Sequence, residues 1–434
     1  MRKIVREPPT RERRSRGVKA GAAALVVGVL ALGVASPTKT ASSTERAAKP
    51  PATVLALKPV ERRGIELVRV DRRTLAPVST RRVLVGKSAG AWALSPDGTR
   101  VAVGVEEALG VRVLDAMKMR RLRSVATRNG QIQALAWLTP TRIVGAEVTG
   151  IFVVDPVAGR LVSARPTEGE VVGVARTRNA LVLLLAPDDG IGPARLATLT
   201  ADGTYRTVEL ARVAAGFRYP EVDGPPGEHR VPGLAIDPDR DRAFVVGAGE
   251  PVAEIDLGAL AVSYHEPARP ISLVGRLRNW LEPRAEAKGP LLGAVRRAVW
   301  LGDGLIAVTG EDGRPGRDGV VTQAAGLSIV DTRTWKIEAV QRAATAATMA
   351  AGTLLASAAG YPELEGIGLR GYDLEGHQRF HVFGRRAVSV LGRLDGRMFV
   401  DDGGATYAVD ARTGRVARIL RQVPELLVGS MRRY

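Results

Sequence analysis

One pattern limits what this chain can fold into more than any other. An aspartate that ends an apolar run and opens a turn recurs at Asp71, Asp115, Asp155, Asp202, Asp256, Asp331, Asp373 and Asp410. The mean spacing is about 48 residues, the length of four short strands with their turns. A second strand succeeds each turn. Examples are GVRVLDAMKMRRLRSV (110–125), GIFVVDPVAGRLVSAR (150–165), GLSIVDTRTWKIEAV (326–340) and ATYAVDARTGRVARIL (405–420).

A different hairpin alternates with these. Its clearest copy is AWALSPDGTRVAVG (91–104), where Pro96 sets φ, Gly98 accepts positive φ, and Val101 and Val103 alternate away from the turn. Six further copies lie at 134–147, 173–185, 233–247, 298–310, 348–358 and 389–402. The Asp-containing hairpin without a partner is GIELVRVDRRTLAPV (64–78). Val54–Leu57 supplies one more strand ahead of it, and Leu426–Gly429 supplies the innermost strand from the other end of the chain. Pairing the two ends removes the exposed edges of an open array. The expectation is an all-β propeller of four-stranded blades, eight of them, with seven as the alternative if 54–78 packs outside the ring.

The WALSPDGTRVAVG segment followed by VRVLD resembles the WD-repeat-like blades of TolB-type propellers. GLSIVDTRTWKIEAV and AVDARTGRVARI resemble blades of the bacterial Tyr-Val-Thr-Asn repeat family. The resemblance covers roughly 54–429 and implies a fold, not an activity. TolB itself carries a separate α/β domain ahead of its propeller. No stretch here fits one, so its role in envelope maintenance is not carried over.

The first 50 residues hold 11 Lys and Arg against 3 Asp and Glu. Eight of those bases lie within residues 1–19. The next stretch, Ala20–Thr38, is uncharged and contains AGAAALVVGVLALGVA (20–35). A basic flank stays in the cytoplasm and the chain beyond the apolar run is translocated. Residues 1–19 therefore read as a basic cytoplasmic tail. Residues 20–38 read as a transmembrane anchor or the apolar region of a signal peptide, with cleavage after Ala35 as the second outcome. Residues 39–53, small, polar and Pro-containing, read as a flexible linker, and 54–434 as the propeller domain. Arg13-Arg14 lacks the hydrophobic continuation of a twin-arginine signal.

Of the net charge of +18, +10 is spread over residues 51–434; with only 9 Lys among 63 bases, it fits a GC-rich genome or attraction to anionic lipid or an anionic envelope polymer. Cysteine is absent, which excludes disulfides, thiolate metal sites and cysteine nucleophiles. The 75 residues from Asp256 to Asp331 break the spacing and place an insertion at 266–297. Within it, ISLVGRLRNWLEP (271–283) has Leu273, Leu277, Trp280 and Leu281 at helical spacing, with Arg276 and Arg278 beside them. GEDGRPGRDGVVTQ (310–323) reads as a mobile loop flanking a binding face.

Several motifs match a pattern without its structural context. Gly86-Lys87-Ser88-Ala89-Gly90 satisfies G-x-S-x-G, yet a propeller strand rather than a helix should come next. Its Gly86-Lys87-Ser88 resembles the end of a phosphate-binding loop whose earlier glycine position is Arg81. Gly366 to Gly371 satisfies G-x-G-x-x-G but runs into a strand, so no helix dipole faces a pyrophosphate. The histidines are His229, His265, His377 and His381. His377 and His381 share a strand face without a third ligand nearby in sequence. Asp188-Asp189 and Asp401-Asp402 sit beside glycine and read as turns. VDARTGR (409–415) resembles fragments of quinone-cofactor dehydrogenase propellers but lacks the Trp those repeats carry.

No catalytic, cofactor-binding or metal-ligating set is complete in the sequence. The function expected is a non-enzymatic extracytoplasmic binding or scaffolding module for a protein or anionic cell-envelope partner, monomeric and held at the membrane by its N-terminal helix. A hydrolase or metalloenzyme with acids converging on the central channel is the alternative. Export and 4% aromatic residues oppose nucleic-acid binding.

Overall fold

A computed structural model describes residues 53–428 apart from 61–63, 88–89, 107–108, 129–130, 219–226, 269–291, 317–318, 359–365 and 421–425. The tail, apolar stretch and linker of 1–52 lie outside the described residues, as does the helix expected at 271–283. The chain is a β-propeller. Among the described residues there is no α-helix, and the strands form six four-stranded sheets and one ten-stranded sheet.

The first sheet joins both ends of the chain in the order β34 (Leu426–Val428), β1 (Thr53–Val60), β2 (Gly64–Asp71), β3 (Val83–Gly86). Five sheets are simple meanders. They are β4 (Trp92–Leu94), β5 (Arg100–Val105), β6 (Gly110–Asp115), β7 (Arg120–Ala126); then β8 (Ile132–Thr139), β9 (Arg142–Glu147), β10 (Gly150–Asp155), β11 (Arg160–Pro166); then β17 (Gly233–Asp237), β18 (Arg242–Val246), β19 (Val252–Asp256), β20 (Ala261–His265). The last two are β26 (Ala346–Ala350), β27 (Thr353–Ser357), β28 (Leu369–Tyr372), β29 (Gln378–Val382), and β30 (Ser389–Leu394), β31 (Arg397–Asp401), β32 (Thr406–Asp410), β33 (Val416–Leu420). The ten-stranded sheet runs β12 (Glu170–Arg176), β13 (Ala180–Ala186), β14 (Gly190–Thr200), β15 (Tyr205–Arg218), β16 (Glu228–Val231), β21 (Gly293–Gly302), β22 (Leu305–Gly316), β24 (Leu327–Asp331), β25 (Lys336–Gln341), with β23 (Gly319–Ala324) beside β22. It contains two four-stranded meanders, β12–β15 and β21–β22–β24–β25.

Every expected first hairpin is present, from β4–β5 to β30–β31. The closure expected from the C-terminus is also present, with Leu55 opposite Val428 and Leu57 opposite Leu426. The first strands of successive meanders adjoin, β34 touching both β30 and β4, so they form the inside of the ring. Eight hydrophobic clusters fill the gaps between neighbouring meanders. In one, Leu181, Leu183 and Leu185 of β13 pack on Ala134, Val144 and Ile151 of the preceding sheet. Each such buried leucine contributes about 1.5–3 kcal/mol. Strands buried on both faces explain the continuous run ALVLLLA of β13.

Seven of the eight recurring aspartates end or directly follow a third strand and hold the turn to the fourth. Their carboxylates accept backbone N–H groups two to four residues on, as Asp155 does from Val157 (2.9 Å) and Ala158 (2.8 Å), and Asp410 from Arg412 (3.0 Å) and Thr413 (2.8 Å). Asp202 is different. It sits inside its turn and accepts from the Thr204 amide (3.0 Å) and hydroxyl (3.0 Å), as Asp97 does from the Thr99 amide (3.0 Å) and hydroxyl (2.9 Å). Three expectations are corrected. The strand returning after Asp71 is β3 at 83–86, because 72–78 form a turn held by the Asp71 carboxylate and carbonyl and touch β2 through the isolated Val70–Pro77 bridge. Residues 310–316 and 319–323 are strand, not loop, because β21 pairs with β22 as far as Gly313 and β22 pairs onward with β23. And β21 begins at Gly293, within the stretch assigned to the insertion.

Arginine joins sheets that share no backbone ladder. Arg69 donates to the carbonyls of Ala116 (2.9 Å) and Met117 (3.0 Å), Arg206 to Gly258 (2.7 Å), Arg176 to Trp137 (2.9 Å) and Arg297 to Thr345 (3.0 Å). Each bond crosses from one meander to a neighbour. The guanidinium fork carries a donor across the gap between sheets to these carbonyls. Part of the arginine excess therefore has a structural use beyond genome composition.

Candidate functional site

Antiparallel meanders put the turns between first and second and between third and fourth strands on one face of the ring, the turn face. The remaining connections lie on the opposite face, the loop face. There the ten-stranded sheet outgrows its meanders. The ends of β14, β15, β21 and β22 run past their blades and, with β16 and β23, make a second ladder of six segments. Gly190 of β14 pairs with Phe217 of β15, and Gly216 with Arg230 of β16. His229 then pairs in parallel with Gly293 of β21, Gly293 with Gly313 of β22, and Glu311 with Ala324 of β23. The parallel step is natural, because β16 leads into β17 and β21 is also a first strand, and first strands run the same way.

Side chains are chosen for close passage. A Cβ on Gly293 would lie 2.3 Å from the His229 ring, so only glycine lets β16 and β21 meet there. That ring stacks on Phe217 with centroids 6.2 Å apart. Burial pushes the His229 imidazole below its ordinary value of 6.5, against the pull of Glu311 and Glu228. At neutral pH it is an uncharged spacer. Glu250, in the turn between β18 and β19, reaches across to accept from the Ala214 amide (3.2 Å) and Arg230 (3.4 Å). Burial raises the Glu250 carboxyl, while that amide and Arg230 lower it. Arg230 also bonds Glu228 (2.9 Å). Further along, Arg296 meets Asp312 (2.7 Å) and Arg297 meets Glu311 (2.9 Å). Acid and base thus neutralise each other along the ladder.

On the turn face lies a depression of about 520 Å³, between Thr139, Thr177–Ala180, Thr198, Asp202, Arg206, Asp241 and Leu257. Its hydroxyls are largely spent on their own turns; Thr177 accepts from the amides of Asn179 (3.2 Å) and Ala180 (3.0 Å).

The motif residues do not converge. Gly86 ends β3, and the next element is the strand β4, so the context of a nucleophile elbow is missing; Ser88 lies outside the described residues. Gly366–Gly371 runs into β28, again a strand. His381 points Nε2 at the carbonyls of Ile367 (3.0 Å) and Gly384 (2.9 Å), whereas His377 is exposed beside Asp373 (3.6 Å). The two therefore use different partners. His265 stacks on Trp335 at 3.7 Å and meets Glu254 (2.9 Å). Asp401 and Asp402 form turns, Asp402 accepting from Gly404 (3.1 Å) and Ala405 (2.9 Å). Burial alone would raise the Asp402 carboxyl, but these amides, Arg386 and Tyr407 hold it at about 2. Among the described residues no group of three or more Asp, Glu and His side chains is arranged to hold a metal ion. The ladder itself escapes sequence reasoning. Its one signal is the uncharged run from Gly319 to Val330, with valines at 320 and 321, which is strand-like.

No family model and no curated protein matches the sequence. Among solved structures, the chain is similar to dihydro-heme d1 dehydrogenase NirN in complex with DHE, at 12% identity over 90% of this chain and 77% of that one, with a TM-score of 0.56. It is also similar to BamB from Moraxella catarrhalis (11% identity, 84% and 97% covered, TM-score 0.48) and to Saccharomyces cerevisiae Sqt1 (10% identity, 76% and 84% covered, TM-score 0.48). At such identity the likeness to NirN establishes the propeller fold and nothing about activity.

Proposed function

We propose that this chain is a non-enzymatic binding or scaffolding propeller that meets a protein partner through its loop face. The six-segment ladder carries the reading. It is an added, rigid surface built on one face of the ring, its charges are already paired, and among the described residues no set of reacting groups accompanies it. We read the ring as eight blades, counting each meander of the ten-stranded sheet separately; the eight inter-meander clusters and seven matching Asp turns support that count.

The localisation proposed is the outside of a membrane, the chain being a monomer anchored by 20–38, or released after cleavage near Ala35. The basic flank and uncharged run support it. Among the described residues no helix is long and apolar enough to cross a membrane. An anionic envelope polymer is the second partner class, favoured by the net charge of +10 on residues 51–434.

The test is site-specific photo-crosslinking in the native host. A photoreactive residue at Arg218 or Val320 samples the loop face, and one at Thr204 or Thr413 samples the turn face. Adducts of one defined mass from the loop face alone support the reading; adducts from the turn face alone overturn it. Intact mass of the same protein tells a chain starting at Met1 from one starting at Ser36.

A further inference from the structure

A sheet edge offers a row of unpaired N–H and C=O groups, and proteins usually blunt it with charge or proline. Several outermost strands of this ring follow that rule, although β3 (VLVG) and β20 (AVSYH) carry no Lys, Arg, Asp, Glu or Pro. β7 carries Arg120, Arg121 and Arg123, β11 ends at Arg165-Pro166, and β25 begins at Lys336 with Ala268 bridged to it. The edge at the end of the ladder does not. β23 pairs with β22 alone among the described strands. It reads GVVTQA, with no charge, no proline and no bulge, and Val320 and Val321 are 51% and 44% exposed.

The register says which groups face outward. Ala325 donates to the Gly310 carbonyl (2.9 Å), so that pair is hydrogen-bonded. In an antiparallel ladder bonded pairs alternate, which makes 323 with 312 and 321 with 314 bonded as well. Val320, Thr322 and Ala324 then turn their N–H and C=O away from β22. Pro315 faces Val320 in a non-bonded pair, where its missing N–H costs nothing.

We propose that the outward edge of β23 receives an extended, uncharged segment of a partner polypeptide as an added strand. The inference deepens the loop-face reading and rests on it. Main-chain hydrogen bonds from Val320, Thr322 and Ala324 supply the affinity, and the exposed valines favour β-branched neighbours on the incoming strand. Its neutrality follows from the edge. No charge lies between Asp318 and Asp331, so a charged residue laid beside β23 would lose hydration without gaining a counter-charge.

The test uses the full chain with a photoreactive residue at Val320, combined with Thr322→Pro or Thr322→Ser. Proline at 322 removes only an outward N–H and leaves the bonds between β22 and β23 intact, whereas serine keeps the donor. The expected result is an adduct mapped by peptide mass spectrometry to an uncharged, proline-free partner segment. Its yield should fall at least about tenfold with Thr322→Pro and hold with Thr322→Ser. Equal yields from the two variants overturn the added strand, as does an adduct of twice the chain's mass, which would make the occupant a second copy. A partner captured at Arg218 but not at Val320 overturns the strand while leaving the loop-face reading in place. No adduct at either position overturns that reading itself.

Discussion

The ring has two kinds of arc, and they are held together differently. In the arc from β26 through β34 and β1 to β11, each sheet ends where its meander ends. Its neighbours touch it through apolar clusters and single arginine bonds. In the arc from β12 to β25, strands of the two flanking meanders continue beyond them and hydrogen-bond to one another across the loop face, while β17–β20 between them remains a four-stranded sheet. The plain arc is the product of a repeat in which every unit buries the same two faces. The laddered arc shows that long-range backbone pairing can be added on top of a repeat without disturbing it, because the extra residues lie past the ends of the packed strands.

The comparison can be broken most severely at the closure of the plain arc. Deleting 421–434 removes β34 and bares the inner edge of β1 at Leu55–Leu57. Ring proteins depend on such closure, so cooperative thermal unfolding should be lost and aggregation should appear in size-exclusion chromatography. Retention of a sharp transition would mean that the ring is held elsewhere. Next in size is Leu183→Ala, in the cluster between β8–β11 and β12–β15, which should cost about 2–5 kcal/mol in denaturant unfolding. Val320→Ala, at the tip of the ladder, should change the same measurement by less than about 0.5 kcal/mol.

Gly293→Ala should separate the arcs. A Cβ there collides with His229, so we expect about 1–3 kcal/mol of local cost. Amide hydrogen exchange should quicken in β16 and the start of β21 while β8–β11 stay protected. Asp410→Ala removes the acceptor for two amides of a plain-arc turn and should cost about 1 kcal/mol.

Acid should loosen the arcs at different pH. The folded His229 titrates below 6.5, so the opened chain binds a proton that the folded one refuses, and ladder stability falls as pH drops below 6.5. Glu250 opposes this lower down. Its folded value is raised above 4.5, so protonation favours the folded form there. The turn aspartates Asp155 and Asp410 are held below 3.8, mainly by the amides of Ala158 and Thr413, and their contribution is lost only as pH falls through 3.8 and below. Hydrogen exchange at pH 5.5 against pH 7.5 should therefore show loss of protection in β16 first. Uniform behaviour of both arcs would remove the distinction, and His229→Phe should abolish the ladder's share of the change.

The legible part of the fold is the part governed by local chemistry. Pro96, Asp97 and Gly98 determine a reversal within four residues, and Asp155 or Asp410 caps its own turn, so these hairpins stand in the sequence. At Asp202 the spacing marks a turn but not its geometry, because an aspartate inside a turn and one before it look alike when only the period is counted. GEDGRPGRDGVVTQ reads as a loop for a similar reason. Glycine, proline and aspartate favour turns locally, but here β21 pairs with the start of the stretch and β22 and β23 pair with each other, which makes extended strands cheaper than a turn.

The candidate surface is the least legible part. Nothing near His229 announces Gly293, 64 residues away, with a disposition set by two first strands running side by side. Nor does any arginine announce the carbonyl it reaches in the next sheet. The repeat, the turns and the closure by the C-terminal strand are all readable from the chain alone, because each depends on residues within a few positions or on period. The ladder, the arginine bonds between sheets and the uncharged edge of β23 emerge only in the assembled ring. A hydrogen bond between distant strands depends on where the ring brings their ends, and not on the preference of either strand alone.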